Sequence, residues 1–402
     1  MAAMVIVGAG HAAGQAAASL RQEGYKGEIV IIGDEPHIPY QRPPLSKAYL
    51  SGEQGLERVH LRPEKFYADQ GITVKTGVRV EQIDTAARTV TTDQGETIAY
   101  TKLLLATGGR PRKLGIPGSD LAGIHYLRSI EDVDGIRADM APGRKLVIVG
   151  GGYIGLEVAS VAVKAGLEVH VLEMEPRILQ RVTTPEMSAY YHQLHTSRGV
   201  HIHTETGVTG FSGDDHVRHV LCGDTAFDAD LVIVGIGIIP NVEVAQAAGI
   251  VCDNGIVVDD HCRTSDPDVY AAGDCTNHPN PLLGRRLRLE SVPNAMEQAR
   301  VAAANMCGGD KTYASIPWFW SDQYELKLQM VGFSADGDTQ VVRGDMAANQ
   351  FAVFYLKDGK VVAADAVNSP KEFMICKQLI GREVDAAALA DPGTDLKALL
   401  AS

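Results

Sequence analysis

Two glycine loops constrain this chain more than any other feature. Residues 5–13 read VIVGAGHAA, and residues 147–155 read VIVGGGYIG. Each breaks a strand-like apolar run on glycines and leads into a helical pattern. Gly150-x-Gly152-x-x-Gly155 fits the turn that carries a parallel strand into a helix at a dinucleotide pyrophosphate. The first glycine permits the tight turn, the second lets the backbone approach the phosphates, and the third allows close helix–strand packing. Tyr153 and Ile154 fill the variable positions, so 150–155 as a whole is a candidate nucleotide site. The earlier loop reads Gly8-x-Gly10-x-x-Ala13, and alanine is accepted at its third position.

The similarity runs beyond the loops. HAAGQAAASLRQEG is followed by EIVIIGDE, and YIGLEVASVAVKAG by LEVHVLEME. Strand, helix and strand within about 30 residues make the βαβ unit of a parallel sheet. Acids end both second strands: Asp34 and Glu35 in one, Glu173 in the other. An acid there accepts from a ribose 2′-hydroxyl and repels a 2′-phosphate, so Glu173 favours NADH over NADPH. Arg177 lies past that strand end and is discounted. Each unit closes on a matching stretch, YTKLLLATGGRPR at 100–112 and FDADLVIVGIGIIPN at 227–241, with Gly108 and Pro111 corresponding to Gly237 and Pro240. The turns Ala106, Thr107, Gly108 and Gly235, Ile236, Gly237 join the candidate contacts. A whole nucleotide-binding unit is therefore repeated. Two dinucleotides are expected, one tightly held and one exchanging. FAD and NADH suit that pairing, because hydride passes directly between them.

This pattern predicts an α/β chain with two Rossmann-type domains and a C-terminal α+β domain. The expected division is 1–111 and 239–316 for FAD, 112–238 for NADH, and 317–402 for the last domain. Alternating patterns within 72–107 and 200–235 predict small antiparallel additions. No apolar stretch reaches the roughly 20 residues of a membrane span, and no signal peptide is expected before the strand at Met4–Val7. The six cysteines are scattered without a C-x-x-C pair, which fits a reducing cytoplasm. A formal net charge of −13 argues against nucleic acid as a partner.

Two further stretches support a flavin. TSDPDVYAAGDC ends an apolar strand on Gly273-Asp274, placing a carboxylate where sugar-chain hydroxyls could donate to it. ESVPNAMEQAR puts Pro293 in the first turn of a helix. The positive end of that helix faces whatever lies above Ser291 and Val292; a plain capped helix reads equally well. His192 and His195 could share a helix face, and His201 and His203 a strand face. Zinc-site spacings are absent, so no metal is expected.

PPLSKAYL at 43–50, LLLATGGRPR at 103–112, VIVGGGYIGLEVA at 147–159, ESVPNA at 290–295 and PWFWSDQYE at 317–325 together carry a resemblance. The chain resembles the FAD-dependent, NADH-oxidising ferredoxin reductases of bacterial oxygenase systems, in the putidaredoxin-reductase-like group. The words span the chain, and PPLSK and WFWSDQYE are the more specific. The resemblance implies a glutathione-reductase-like fold. It implies FAD contacts at Ala12, Asp34, Lys47, Val80, Arg128, Asp274 and Val292, with Arg42 a further one. It places Lys47 with Glu157 where nicotinamide stacks, and Trp320 near the isoalloxazine. The implied partner is an acidic [2Fe–2S] ferredoxin feeding an oxygenase, with a haem-thiolate monooxygenase expected. A docking patch on so acidic a chain must be locally basic, with Arg62, Arg285, Arg286, Arg288 and Arg300 as candidates and Lys327, Lys371 and Lys377 next. A disulfide reductase would need a cysteine pair, and HIPYQRPPLSK contains none. An NADH oxidase or quinone reductase, or a redox sensor resembling apoptosis-inducing factor, remains an alternative.

Overall fold

The apolar run Ala3–Val7 is a wholly buried central strand. It pairs in parallel with Ile29–Ile32 on one side and Thr97–Leu105 on the other. Ile72–Lys75 extends the sheet beyond the former, and Val269–Ala271 pairs with the latter. One face of this sheet packs on helices and the other on Ile83, Val90, Ala245 and Ile250; buried on both faces, these strands read as unbroken apolar runs rather than alternations. Helices His11–Gln22 and Val292–Met306 pack together on one face through Ala13, Ala16, Ala17, Ala299 and Ala303. Their small side chains let the two backbones approach closely.

The computed structural model describes residues 3–400, and they form two compact units. The first comprises the chain up to Pro44, Gln54–Arg110 and Ile238–Ser315; the second comprises Leu45–Glu53, Pro111–Gly237 and the chain from Ile316. The second unit repeats the plan of the first. Lys145–Val149 lies between Glu168–Leu172 and Leu231–Val234, all parallel, with Val200–His203 beyond the former. In both sheets the strand before the glycine loop therefore lies between the strand after the loop's helix and the strand that closes the unit, and a further strand pairs with the closing one, Val269–Ala271 in the first sheet and Ile124–Tyr126 in the second. The antiparallel additions are Val80–Asp84 with Thr89–Thr92, and the three strands from Gly210 to Asp228.

From Trp318 the chain forms a five-stranded antiparallel sheet followed by the helix Pro370–Leu379. One sheet face, with Leu326, Leu328, Phe351 and Val353, shares a core with Leu156, Met187 and Tyr191. The other covers Phe373, Cys376 and Leu379. The segment from 317 has the strands and helix expected of the C-terminal α+β domain, and it packs within the second unit. Leu45–Glu53 also belongs there rather than with the chain on either side of it. Tyr49 explains this locally: its hydroxyl donates to Asp134 Oδ1 at 2.9 Å, and the Arg137 guanidinium lies over its ring. Among the described residues no helix is long and apolar enough to cross a membrane. All six cysteines are free thiols.

Candidate active site

The first unit builds an open cradle around its glycine loop. Gly8 has φ +110°, and a Cβ there would sit 2.1 Å from the Ala106 carbonyl oxygen. Only glycine lets the two loops approach so closely. Gly10 caps the helix His11–Gln22 without any side-chain hydrogen bond, and a Cβ on it would meet nothing within 4 Å. A helix start with no side-chain cap presents positive potential to an anion. Ala12 and Ala13 in its first turn are buried, and a Cβ on Gly273 would lie 3.4 Å from that of Ala12. Gln298 fixes this second turn, its Oε1 accepting from Gly273 N at 2.8 Å and Thr276 Oγ1 at 2.9 Å.

The two acids after Ile32 have different surroundings. Glu35 accepts from Arg42 Nη2 at 2.5 Å and from the Tyr40 hydroxyl, which in turn accepts from Arg42. Burial opposes the Arg42 charge, but Tyr40, Glu35 and Asp274 outweigh it and raise its pKa. Asp34 lies out at the surface, 3.2 Å from Arg79, beside the buried Val80. Thr107 and Asn241 exchange side-chain and main-chain hydrogen bonds at 2.7 and 2.9 Å, and Asn241 N donates to Gly108 O. Ser291 caps the helix Val292–Met306, accepting from Asn294 N at 3.3 Å. An uncapped helix start, a glycine cradle and acids at the ends of two strands fit a dinucleotide.

The second unit repeats the cradle. A Cβ on Gly150 would sit 2.4 Å from Gly235 O, and one on Gly155 would sit 2.4 Å from Gly150 O. Gly152 is the uncapped start of the helix Tyr153–Lys164, with open space around it. Glu173 turns toward the loop, accepting from Gly151 N at 2.8 Å and Glu175 N at 2.9 Å. The Arg177 guanidinium is spent on the carbonyls of Thr183 and Gln180. Ile154 is exposed. Tyr153 faces the C-terminal sheet, its ring 5.6 Å from that of Phe319 and its hydroxyl on Met330 Sδ. What Tyr153 offers a nucleotide at the loop is its backbone. Ile236 packs against the core behind the sheet, and Gly237 has φ +102° with open space around it.

Lys47 and Glu157 meet in this unit. Lys47 Nζ lies 2.6 Å from Glu157 Oε2, which also accepts from Ser46 Oγ at 2.5 Å. Ser321 Oγ donates to the other carboxylate oxygen at 2.6 Å. Glu157 is 1% exposed. Burial pushes its carboxyl up, and Lys47, Ser321 and Ser46 pull part of the way back. The prolines of the 3₁₀ turn Pro43–Ser46 set the approach of both donors. Ser46 and Ser321 escaped the sequence reading although both lie inside its most specific words. On the strand Trp318–Gln323, Phe319, Ser321 and Gln323 share one face. Trp320 lies on the other, its ring 5.7 Å from that of Trp318. Arg128 donates its backbone N–H to Asp132, within the capping box of the helix Ile130–Asp139.

The histidines do not form one cluster. His195 is fully buried between Gln323 and Tyr324. His201 and His203 stack on His170. The only metal-like grouping among the described residues is Asp259, Asp260 and His261, on the surface. The arginine docking candidates all lie in the first unit, and the lysines next in line lie in the second. Arg285 and Arg300 are exposed, and Arg62 lies 4.7 Å over the Phe66 ring. Arg286 is tied to the carbonyls of Val258 and Asn277, and Arg288 to Glu290 at 2.6 Å. Arg288 therefore offers a partner little uncompensated charge.

Residues 2–299 match the model of the pyridine nucleotide-disulphide oxidoreductase family, and residues 318–400 match that of the reductase C-terminal domain. The chain belongs to the pyridine nucleotide-disulphide oxidoreductase family and is an oxidoreductase working with FAD and NAD(H). Putidaredoxin reductase of Pseudomonas putida is 45% identical to it, the match covering 99% of this chain and 97% of that protein. The ferredoxin–NAD(+) reductase component of the anthranilate 1,2-dioxygenase system of Burkholderia cepacia is also 45% identical, over 98% of each chain. The solved covalent complex of putidaredoxin reductase with putidaredoxin superposes with a TM-score of 0.96, covering 100% of this chain and 98% of that one. The chain is putidaredoxin-reductase-like along its whole length.

Proposed function

We propose that this chain takes hydride from NADH and delivers electrons singly to a [2Fe–2S] ferredoxin that feeds an oxygenase, a haem-thiolate monooxygenase in the first instance. The observation that carries the reading is the pair of open glycine cradles, each with its own acid, in one chain. Bound FAD supplies a centre that accepts a hydride and releases electrons one at a time. Gly8, Gly10, Glu35, Arg42 and Asp274 hold it, with the Val292 end of a helix supplying positive potential. Gly150, Gly152 and Gly155 hold the NADH pyrophosphate. Glu173 orients the adenosine ribose and excludes a 2′-phosphate. Lys47, held by Glu157, serves the hydride step, and Trp320 lies near the isoalloxazine. The first unit is accordingly the FAD part and the 112–238 stretch the NADH part. A cytoplasmic site agrees with six free thiols. Relatives named as ferredoxin reductases, one solved with its ferredoxin attached, support the partner.

The test is anaerobic reduction of a panel of [2Fe–2S] ferredoxins by NADH, with oxygen and a quinone as separate acceptors. A ferredoxin should be reduced at least tenfold faster than either at equal concentration, and NADH should exceed NADPH in kcat/KM. Reduction of oxygen or quinone alone would overturn the partner. Equal use of both nucleotides would overturn the role of Glu173.

A further inference from the structure

The hydrogen bonds around Glu157 continue past Ser321. Gln323 Nε2 is 3.1 Å from Ser321 Oγ, and Gln323 Oε1 is 2.7 Å from His195 Nε2. His195 Nδ1 is 3.1 Å from the Tyr324 hydroxyl. With Glu157 ionised, every proton in this chain is assigned. The carboxylate only accepts, so Ser321 donates to it. Ser321 then accepts from the Gln323 amide, which fixes the amide orientation. Gln323 Oε1 needs a donor, and His195 Nε2–H supplies it. The remaining nitrogen of a neutral His195 accepts, so Tyr324 donates. Four donors in series therefore point toward one buried carboxylate.

The links from His195 to Glu157 are shielded from water, and Tyr324 at the far end is partly buried. Gln323, Ser321, His195 and Glu157 are all within 1% of zero exposure. His195 stays neutral because burial lowers its pKa to about 4, with His192 adding to the effect. The cations of Lys164 and Arg198 lie over the Tyr324 ring at 5.8 and 5.0 Å, and Arg198 is paired with Glu325. Lys47 is the one cation recorded against Glu157 itself among the described residues. Tyr324 also has φ +57°, in the left-handed region that favours glycine or asparagine. A tyrosine is held there at a cost in strain, with its hydroxyl aimed at His195.

We propose that Gln323, His195 and Tyr324 are positioning residues for hydride transfer, a donor relay that keeps the Glu157 carboxylate ionised and aimed at Lys47. The proposal rests on the reading that Lys47 and Glu157 serve that step. The relay passes polarisation and not a proton, because the Gln323 amide donates at one end and accepts at the other.

The test is stopped-flow flavin reduction by NADH across pH, on full-length enzyme loaded with FAD. Gln323→Leu and Ser321→Ala should each slow the limiting rate about tenfold, with NADH affinity within about twofold. The acid limb of the rate profile should move to higher pH, because the carboxylate loses donors. The double variant should be no slower than the slower single, since both act through one hydroxyl. His195→Leu should behave like Gln323→Leu, whereas His195→Gln, which can both donate and accept, should approach wild type. Wild-type rates and an unmoved acid limb in Gln323→Leu and Ser321→Ala would overturn the relay, as would additive losses in the double variant. Should Gln323→Leu fail to fold, Ser321→Ala and the two His195 variants decide alone. Lys47→Ala separates the two ideas: if it is slow while the relay variants are fast, only the relay fails. If Lys47→Ala is itself as fast as wild type, the underlying reading fails.

Discussion

His195 makes a prediction of its own, about stability rather than rate. An unfolded imidazole charges near pH 6.5, whereas this one holds out to about 4. The folded state therefore binds fewer protons than the unfolded state in that window. Its stability is complete above about pH 6.5, declines as pH falls toward 4, and levels off below. The gap corresponds to about 3 kcal/mol at most. Thermal melts of His195→Gln should lose less stability between pH 7 and 4.5 than those of wild type. Parallel curves would show that His195 is not buried neutral. His278, also lowered to about 4 by burial, acts in the same direction, so some acid sensitivity should remain in the variant. At this scale the sequence was legible where a family word names a residue, as with Lys47 and Glu157. It was not legible for Ser46 and Ser321, which lie 111 and 164 positions from Glu157. No local pattern records a contact made only when a strand of the C-terminal sheet packs on the helix Tyr153–Lys164.

At the scale of elements, the two cradles differ at their third position, and the difference is testable. Ala13 fills the third position of the first loop and is buried there, whereas a Cβ on Gly155 would lie 2.4 Å from the Gly150 carbonyl oxygen. Gly155→Ala must therefore push the helix Tyr153–Lys164 off the loop that precedes it. NADH affinity should fall at least about tenfold while FAD stays bound, because the disturbance is local to one cradle. Titration of the oxidised enzyme with NAD(+) and a flavin spectrum would check both halves. Unchanged affinity would show that the nucleotide does not depend on this close packing. The βαβ units, the return to the first sheet after residue 238 and the antiparallel additions were all readable from apolar runs, periodicity and turn residues. The placement of Leu45–Glu53 was not. It depends on Tyr49 reaching Asp134 and Arg137, and such a contact has no signature in a short, mixed stretch.

For the whole molecule, charge is the governing quantity. A net charge of −13 repels an acidic partner at long range, so local cations must guide docking. Of the candidate arginines, Arg288 is compensated by Glu290, whereas Arg286 is exposed and its bonds to neutral carbonyls leave its charge in place; Arg62 and Arg300 are the first positions to test. Charge reversal at Arg300 or Arg62 should raise the apparent KM for ferredoxin about three- to tenfold at low salt and flatten its salt dependence. Reduction of a small neutral acceptor should not change. If both reactions fell together, the arginine would serve the flavin site instead; if neither changed, the lysines of the C-terminal sheet and helix would be next. The division of the chain carries a consequence for anyone recombining such enzymes. The polypeptide passes from one unit to the other at residues 44/45, 53/54, 110/111, 237/238 and 315/316. A chimera that borrows another reductase's nucleotide specificity by exchanging 111–237 and everything after 315 would import a new glutamate and serine but keep the old lysine. Nine residues, 45–53, must travel with the graft, or the donor's carboxylate will face a lysine that did not evolve beside it.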